Sequence, residues 1–466
     1  MLFSGIPFLY YFLPAVLLLY FAVPHRLKNP ILLIFSLIFY GWGEPRYILL
    51  MLISILSGYA FALAIEKKRN TLSGKILTFI SIGISLSFLL VFKYADFIIE
   101  NINAILNTDM KLIGLSLPVG ISFYTFQIVS YTIDVYREDT KAQKDPIAFG
   151  MYVSLFPQLI AGPIVRYTDI EKQIQTRKHS IEQASYGIQR FIIGLSKKVL
   201  IANLMGDLVT ICEKSSEQTI ILSWIYAAAL VFQIYFDFSG YSDMAIGLGS
   251  IFGFYFPENF KYPLISRSVQ EFWRRWHISL GTWFRDYVYI PLGGSRTTKA
   301  RYIRNIAVVW MLTGLWHGAS WNFVIWGAGF GILLLSERFL TGKLLEKLPH
   351  IVSHAYMIVI MTVSFTLFSS NSLNQAFVNI RNMFGLGGIE LLSSQTIYVL
   401  KSHAVLLIAA TFASTPAGAL IYKKVEKSKA GNILMWITPI VLAALLIIAS
   451  AFLADGSYNP FLYFRF

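Results

Sequence analysis

The sequence predicts an all-α polytopic membrane protein, and three observations carry that prediction. Apolar residues make up 56% of its 466 residues and charged residues only 14%, where a soluble domain has about a quarter charged. Apolar runs of membrane-spanning length recur at 6–23, 46–65, 76–92, 219–238 and 432–453, and a span takes about 20 such residues. Between these and the shorter runs that follow, no stretch is long enough to bury a soluble core of its own. Shorter or interrupted runs lie at 30–43, 112–135, 147–165, 186–204, 241–257, 351–370 and 400–422. Counting them gives roughly 11 to 14 transmembrane or re-entrant helices. The expectation is one membrane domain over residues 1–466.

The N-terminal helices, residues 1–110, open with an apolar run that no basic stretch precedes and that further runs soon follow. It reads as a retained span rather than a cleavable leader. The formal net charge is +14. In a soluble chain that would suggest nucleic acid. In an embedded one, loops rich in Lys and Arg mark the cytoplasmic side. Three such loops are His25 to Lys28, "EKKRNTLSGK" at 66–75 and "KKVEKSK" at 423–429. With all three inside, both termini fall on the outer face and the number of crossings is even.

The central block, residues 111–340, differs in kind. Its apolar runs are broken by Pro, Gly and charge in "LPVGISFYTFQ", "FPQLIAGPIV" and "FIIGLSKKVL". Broken helices at membrane depth are tolerated where they are buried in protein or line a wet cavity. A central cavity or tunnel is therefore expected, with packing kinks as the plainer alternative. Within this block, residues 261–304 hold nine Lys and Arg against two acids, a net +7 and half that of the whole chain. Trp273, Trp276, Leu280, Trp283 and Tyr287 recur at spacings of 3, 4, 3 and 4, which makes one apolar helical face. Gly281, Pro291 and Gly293–Gly294 should interrupt it. One reading is an interfacial helix with tryptophans at headgroup level. The other is a cytoplasmic mouth for a phosphate-bearing donor, because guanidinium forks match phosphate oxygens. The candidate donor-binding residues are Arg274, Arg275, Trp276 and Arg285.

The run 305–336 closes the block. It is long for one crossing and short for two, and Gly314, Gly318 and Ser320 are placed to divide it. His317 sits in the charge-free part of this run, residues 308–327. An ionisable group at that depth points to function, although a neutral imidazole satisfied by hydrogen bonds can also be structural. As chemistry, it suits a general base taking the proton of a hydroxyl that attacks an activated acyl group. His277, among the arginines, is a candidate assistant that orients or shuttles a proton. His25, His179 and His350 lie in polar loops, and His354 and His403 near span ends. Lone Cys212 excludes an internal disulfide and a cysteine-based metal site, and reads as packing. No His/Cys/Asp/Glu spacing suggests a metal, and no G-x-S-x-G, Walker or GxGxxG motif occurs.

The C-terminal part, residues 341–466, holds further spans and ends in "NPFLYFRF". There Phe461, Tyr463 and Phe466 form an F-x-Y-x-x-F pattern. From the residues alone this is an aromatic interfacial anchor.

Taken together, "SVQEFWRRWHISLGTWFRDYVYIPLGG" followed by "LWHGASWNFVIWG" resembles the membrane-bound O-acyltransferase superfamily. "QIYFDFSGYSDMAIGLG", "PVGISFYTFQ", "FPQLIAGPI", "FYGWGEPRY" and the opening "MLFSGIPFLYYFLP" are similar to its bacterial branch. The resemblance implies a funnel from the cytoplasm, His317 as the catalytic histidine, and His277 at a second motif position that is often Asn in eukaryotic members. It implies acetyl groups drawn from acetyl-coenzyme A, with no tightly bound cofactor. The acceptor would be a cell-envelope polysaccharide of the peptidoglycan or alginate type. It also implies a bacterial cytoplasmic membrane and an extracytoplasmic SGNH-hydrolase-like partner. The tail resembles a motif whose tyrosine, here Tyr463, is proposed to carry the acyl group covalently. Teichoic acid D-alanyl transfer systems also resemble this chain and are the alternative, but they carry that motif on a separate small protein, and its fusion here favours the alginate and peptidoglycan type. From a different class, a transporter or flippase also fits broken helices around a cavity, although no matching pair of interrupted spans marks two halves. A scaffold that recruits an extracytoplasmic enzyme is a third reading.

Overall fold

The computed structural model describes residues 2–455 and 461–462. Among them the secondary structure is helical throughout, with no strand. Seven helices are long and apolar enough to cross a membrane: Ile48–Lys67, Leu72–Leu106, Ile220–Ile251, Trp321–Lys347, His350–Ser369, Ser394–Ala413 and Gly431–Ala454. Phe8–Ala22 is a shorter apolar helix. The remaining apolar runs of the sequence form shorter pieces such as Ile121–Arg137 and Pro146–Ser154.

The chain divides into two compact units, Met1–Phe191 with Tyr241–Glu258, and Ile192–Gly240 with Asn259–Phe466. The first unit is built round aromatic packing. Phe3, Phe8, Phe12, Phe39 and Phe156 pack ring to ring, with centroids 4.8 Å apart for Phe3–Phe8 and 5.3 Å for Phe12–Phe156. Within it Arg190 bridges Asp243 at 2.7 Å and Glu258 at 2.6 Å.

The second unit holds every described candidate residue. The long run that closes the central block divides here into the helices Lys299–His317 and Trp321–Ser336, joined by residues 318–320. They cross at Gly314 and Gly327. A Cβ on Gly327 would lie 3.0 Å from the Gly314 Cα and run into the Trp310 carbonyl. Small residues let helix backbones touch where lipid supplies no hydrophobic drive, so Gly314 and Gly327 serve the hairpin.

The aromatic stripe from Trp273 to Tyr287 is not one helix. It forms Val269–Arg275 and Ile278–Phe284, followed by a wider π-helical turn at Arg285–Tyr289. The break falls at Trp276–His277 rather than at Gly281, which sits inside the second helix. The cause is competition for backbone hydrogen bonds. The Lys261 N–H donates to the Arg275 carbonyl at 2.9 Å, and the Ile278 N–H donates to the Asn259 carbonyl at 3.0 Å. Residues 259–261 thus take partners that a continuous helix would need. Gly293 and Gly294 do terminate the stretch, with φ of 106° and 58°.

Candidate functional site

His317 is the last residue of Lys299–His317, and the chain leaves it through an extended Gly318. Ser320 then caps the next helix, its side chain accepting from the Asn322 N–H. The hairpin turn therefore sets the position of the imidazole, which is 4% exposed. Aromatic rings enclose it edge to face: Trp316 at 5.0 Å, Trp326 at 5.1 Å and Phe368 at 5.2 Å between centroids.

His277 is 2% exposed and begins Ile278–Phe284 in the left-handed conformation, φ 45° and ψ 51°. A β-carbon residue in that region is strained, so the surroundings must hold it. Asn259, fully buried, does so. Its Oδ1 lies 3.1 Å from His277 Nδ1 and accepts from the Ser279 N–H at 3.2 Å and the Ser279 hydroxyl at 2.8 Å. Burial pushes the His277 ring down to about 3, which keeps the imidazole neutral near pH 7. Phe238 stands 4.7 Å from it, and Trp316 stands 5.7 Å from it while also touching His317.

The two histidines face different spaces. His277 lines a cavity of about 440 Å³ together with Arg274, Trp276, Arg285, Trp310 and Thr313. His317 lines a pocket of about 20 Å³ with Asp237, Phe238, Trp276, Phe461 and Leu462, room for about one water. Trp276 belongs to both walls. Trp276 is the residue through which the two spaces adjoin.

The other donor candidates divide. Arg274 is exposed at the larger cavity. Arg285 lines it too, with its guanidinium on Asp286 at 2.7 and 3.0 Å. Arg275 is not part of the lining; Glu271 holds it at 2.9 Å and it donates to the Lys261 carbonyl at 3.0 Å. Tyr463 lies outside the described residues, but its neighbour Leu462 does not: the Leu462 N–H donates to Asp237 Oδ2 at 2.8 Å. Among the described residues no group of three or more His, Cys, Asp or Glu side chains is placed to hold a metal.

Sequence reasoning missed three residues here. Asn259, in "PENFKYP", carries no motif signal. Asp237, and Lys198 whose ammonium pairs with it at 2.5 Å, lie in stretches singled out for other reasons. A charge inside each of two apolar runs was the available signal, since such charges rarely stand without a partner.

Comparisons with known proteins give one answer. The family model for membrane-bound O-acyltransferases matches residues 141–370. A probable alginate O-acetylase of Pseudomonas putida is 38% identical, with all of both chains covered. A peptidoglycan O-acetyltransferase of Helicobacter pylori is 32% identical over all of this chain and 98% of its own. A teichoic acid D-alanyltransferase of Bacillus subtilis is 29% identical over 54% of this chain and 67% of its own.

Proposed function

The chain belongs to the membrane-bound O-acyltransferase family, and from that premise we propose that it moves acetyl groups from cytoplasmic acetyl-coenzyme A across the membrane for O-acetylation of an envelope polysaccharide. That it is a multi-pass membrane acyltransferase follows from the family and its seven apolar helices. The acetyl donor, the cytoplasmic source and the polysaccharide acceptor are our reading. Full-length similarity to alginate and peptidoglycan O-acetylating enzymes supports it over D-alanyl transfer, where the similarity covers about half the chain.

One observation carries the proposal. His317 shares a pocket with Phe461 and Leu462 of the C-terminal segment, so a buried imidazole and the residues beside Tyr463 meet at one place. In the proposed reaction the donor enters the larger cavity, where Arg274 and Arg285 meet its phosphates and Trp276 gives way. His317 takes the proton from the Tyr463 phenol as its oxygen attacks the thioester carbonyl. The C–S bond breaks, and the coenzyme A thiolate leaves and takes up that proton. An O-acetyl tyrosine remains, from which the acetyl passes to a sugar hydroxyl through an extracytoplasmic hydrolase-like partner. His277, neutral and pinned by Asn259, orients rather than exchanges protons.

The test is acetyl-coenzyme A cleavage and polymer acetylation by the His317→Ala protein in membranes. Both should be lost at normal protein level. Normal acetylation in that variant overturns the role of His317. Solute exchange by the purified protein without donor consumption would favour a transporter instead.

A further inference from the structure

Lys198 and Asp237 form an ion pair that the proposed reaction does not use. Lys198 Nζ lies 2.5 Å from Asp237 Oδ1, and the two side chains are 4% and 2% exposed. Asp237 is in the membrane-spanning helix Ile220–Ile251, and Lys198 is in the π-helical turn Lys197–Ala202. The approach is built in at Gly240. A Cβ there would come within 2.7 Å of the Gly194 carbonyl and 3.2 Å of the Lys198 N. A buried pair of this kind is an expensive fastener, since well-packed apolar residues join helices equally well, and charges at membrane depth mark function.

Its geometry suggests what it is for. Lys198 takes one oxygen of the carboxylate. The other accepts from the backbone N–H of Leu462, a residue 225 positions away. Asp237, Phe461 and Leu462 all line the pocket of His317. Phe461 is 3% exposed, and its ring stands 6.3 Å from Phe238, which also touches His277. The carboxylate thus holds the C-terminal segment by its main chain, at the pocket, and Lys198 holds the carboxylate.

We propose that Asp237, locked by Lys198, is a positioning residue that anchors the C-terminal segment at Leu462 in the His317 pocket and so presents the next residue, Tyr463, for acyl transfer. This rests on the relay reading above. A main-chain anchor leaves the neighbouring side chains free to differ while Leu462 is kept at the His317 pocket.

Leu462→Pro tests it directly. It deletes the donor N–H and leaves the Lys198–Asp237 pair whole. The double variant Lys198→Met with Asp237→Ala removes the anchor from the other side without leaving a lone buried charge. Three readouts are taken on the full-length protein. They are acetyl transfer with its KM for acetyl-coenzyme A, the thermal unfolding midpoint, and the residues that carboxypeptidase removes from the detergent-solubilised protein, read by intact mass. In Leu462→Pro we expect turnover to fall about 100-fold, the effect of an ångström-scale misplacement. KM and the unfolding midpoint should be unchanged, and trimming should run past residue 462 where the parent stops before it. The double variant should show the same trimming. Parent-like turnover in Leu462→Pro, or parent-like trimming in both variants, overturns the anchor. Tyr463→Phe separates this from failure of the relay. If that variant transfers normally while trimming still depends on Asp237, the relay has failed and the anchor stands as a docking contact. If Tyr463→Phe is inactive and trimming ignores Asp237, the relay stands and the anchor has failed.

Discussion

The two cavities that meet at Trp276 are built from opposite materials. The larger, about 440 Å³, has arginines at its edge and a histidine held by hydrogen bonds to Asn259. The smaller, about 20 Å³, has a histidine held by rings, with a carboxylate and the C-terminal segment as its other wall. In the proposed reaction the first binds the donor and the second holds the reacting groups. On the proposed reading, a site that excludes water until the donor arrives protects its thioester from hydrolysis, and Trp276, which lines both spaces, is the side chain placed to do so. The comparison predicts different failures on the two sides.

The largest effect is expected at the smaller cavity. His317→Ala should cut acetyl-coenzyme A cleavage by at least about 10³-fold, within the range for loss of a general base, in a radiolabelled transfer assay. Tyr463→Phe should abolish polymer acetylation while donor affinity, read by calorimetry, stays as in the parent. Retained acetylation there removes the relay.

Trp276→Ala removes the side chain that the two cavities share. Merging the two spaces should raise donor hydrolysis without acceptor by about 10-fold, because water then reaches the thioester. Unchanged hydrolysis would mean that the indole is not the barrier. On the larger side, Arg274→Ala should raise the donor KM about 10-fold with kcat unchanged, the signature of lost uniform binding. Arg275→Ala should do less, since Glu271 already engages that guanidinium.

The smallest effect is expected for His277→Asn. Asparagine accepts the left-handed backbone that position 277 requires, and the ring it replaces stays neutral down to about pH 3. Turnover should change by less than about 10-fold, and the acid limb of the pH profile should not move. The stability sign follows from the lowered value. Between about 6.5 and 3 the unfolded histidine binds a proton that the folded one refuses, so stability falls as pH falls through that window. His277→Asn should flatten this dependence in thermal unfolding scans.

His317 was legible in the sequence because it stands in a run without other charge, where an ionisable group is conspicuous. The hairpin around it was legible through Gly314, Gly318 and Ser320. The break at His277 was not. Trp273 to Tyr287 keeps helical spacing throughout, and the competing partners come from residues 259–261, which no periodicity connects to it. Nor was the division of the arginines legible, since Arg274 and Arg275 are chemically alike and only Glu271 distinguishes them.

That this chain lives in a bilayer as helices could be read residue by residue, because apolar length and backbone satisfaction are local properties that each segment settles alone. The sequence also singled out His317, because burying an ionisable ring has a cost that composition exposes. That Asp237 meets Lys198 and Leu462, that Asn259 holds His277, and that Trp276 lines two cavities came from the folded chain. Those contacts join residues far apart in the chain, and packing in three dimensions, not spacing along it, chooses such partners.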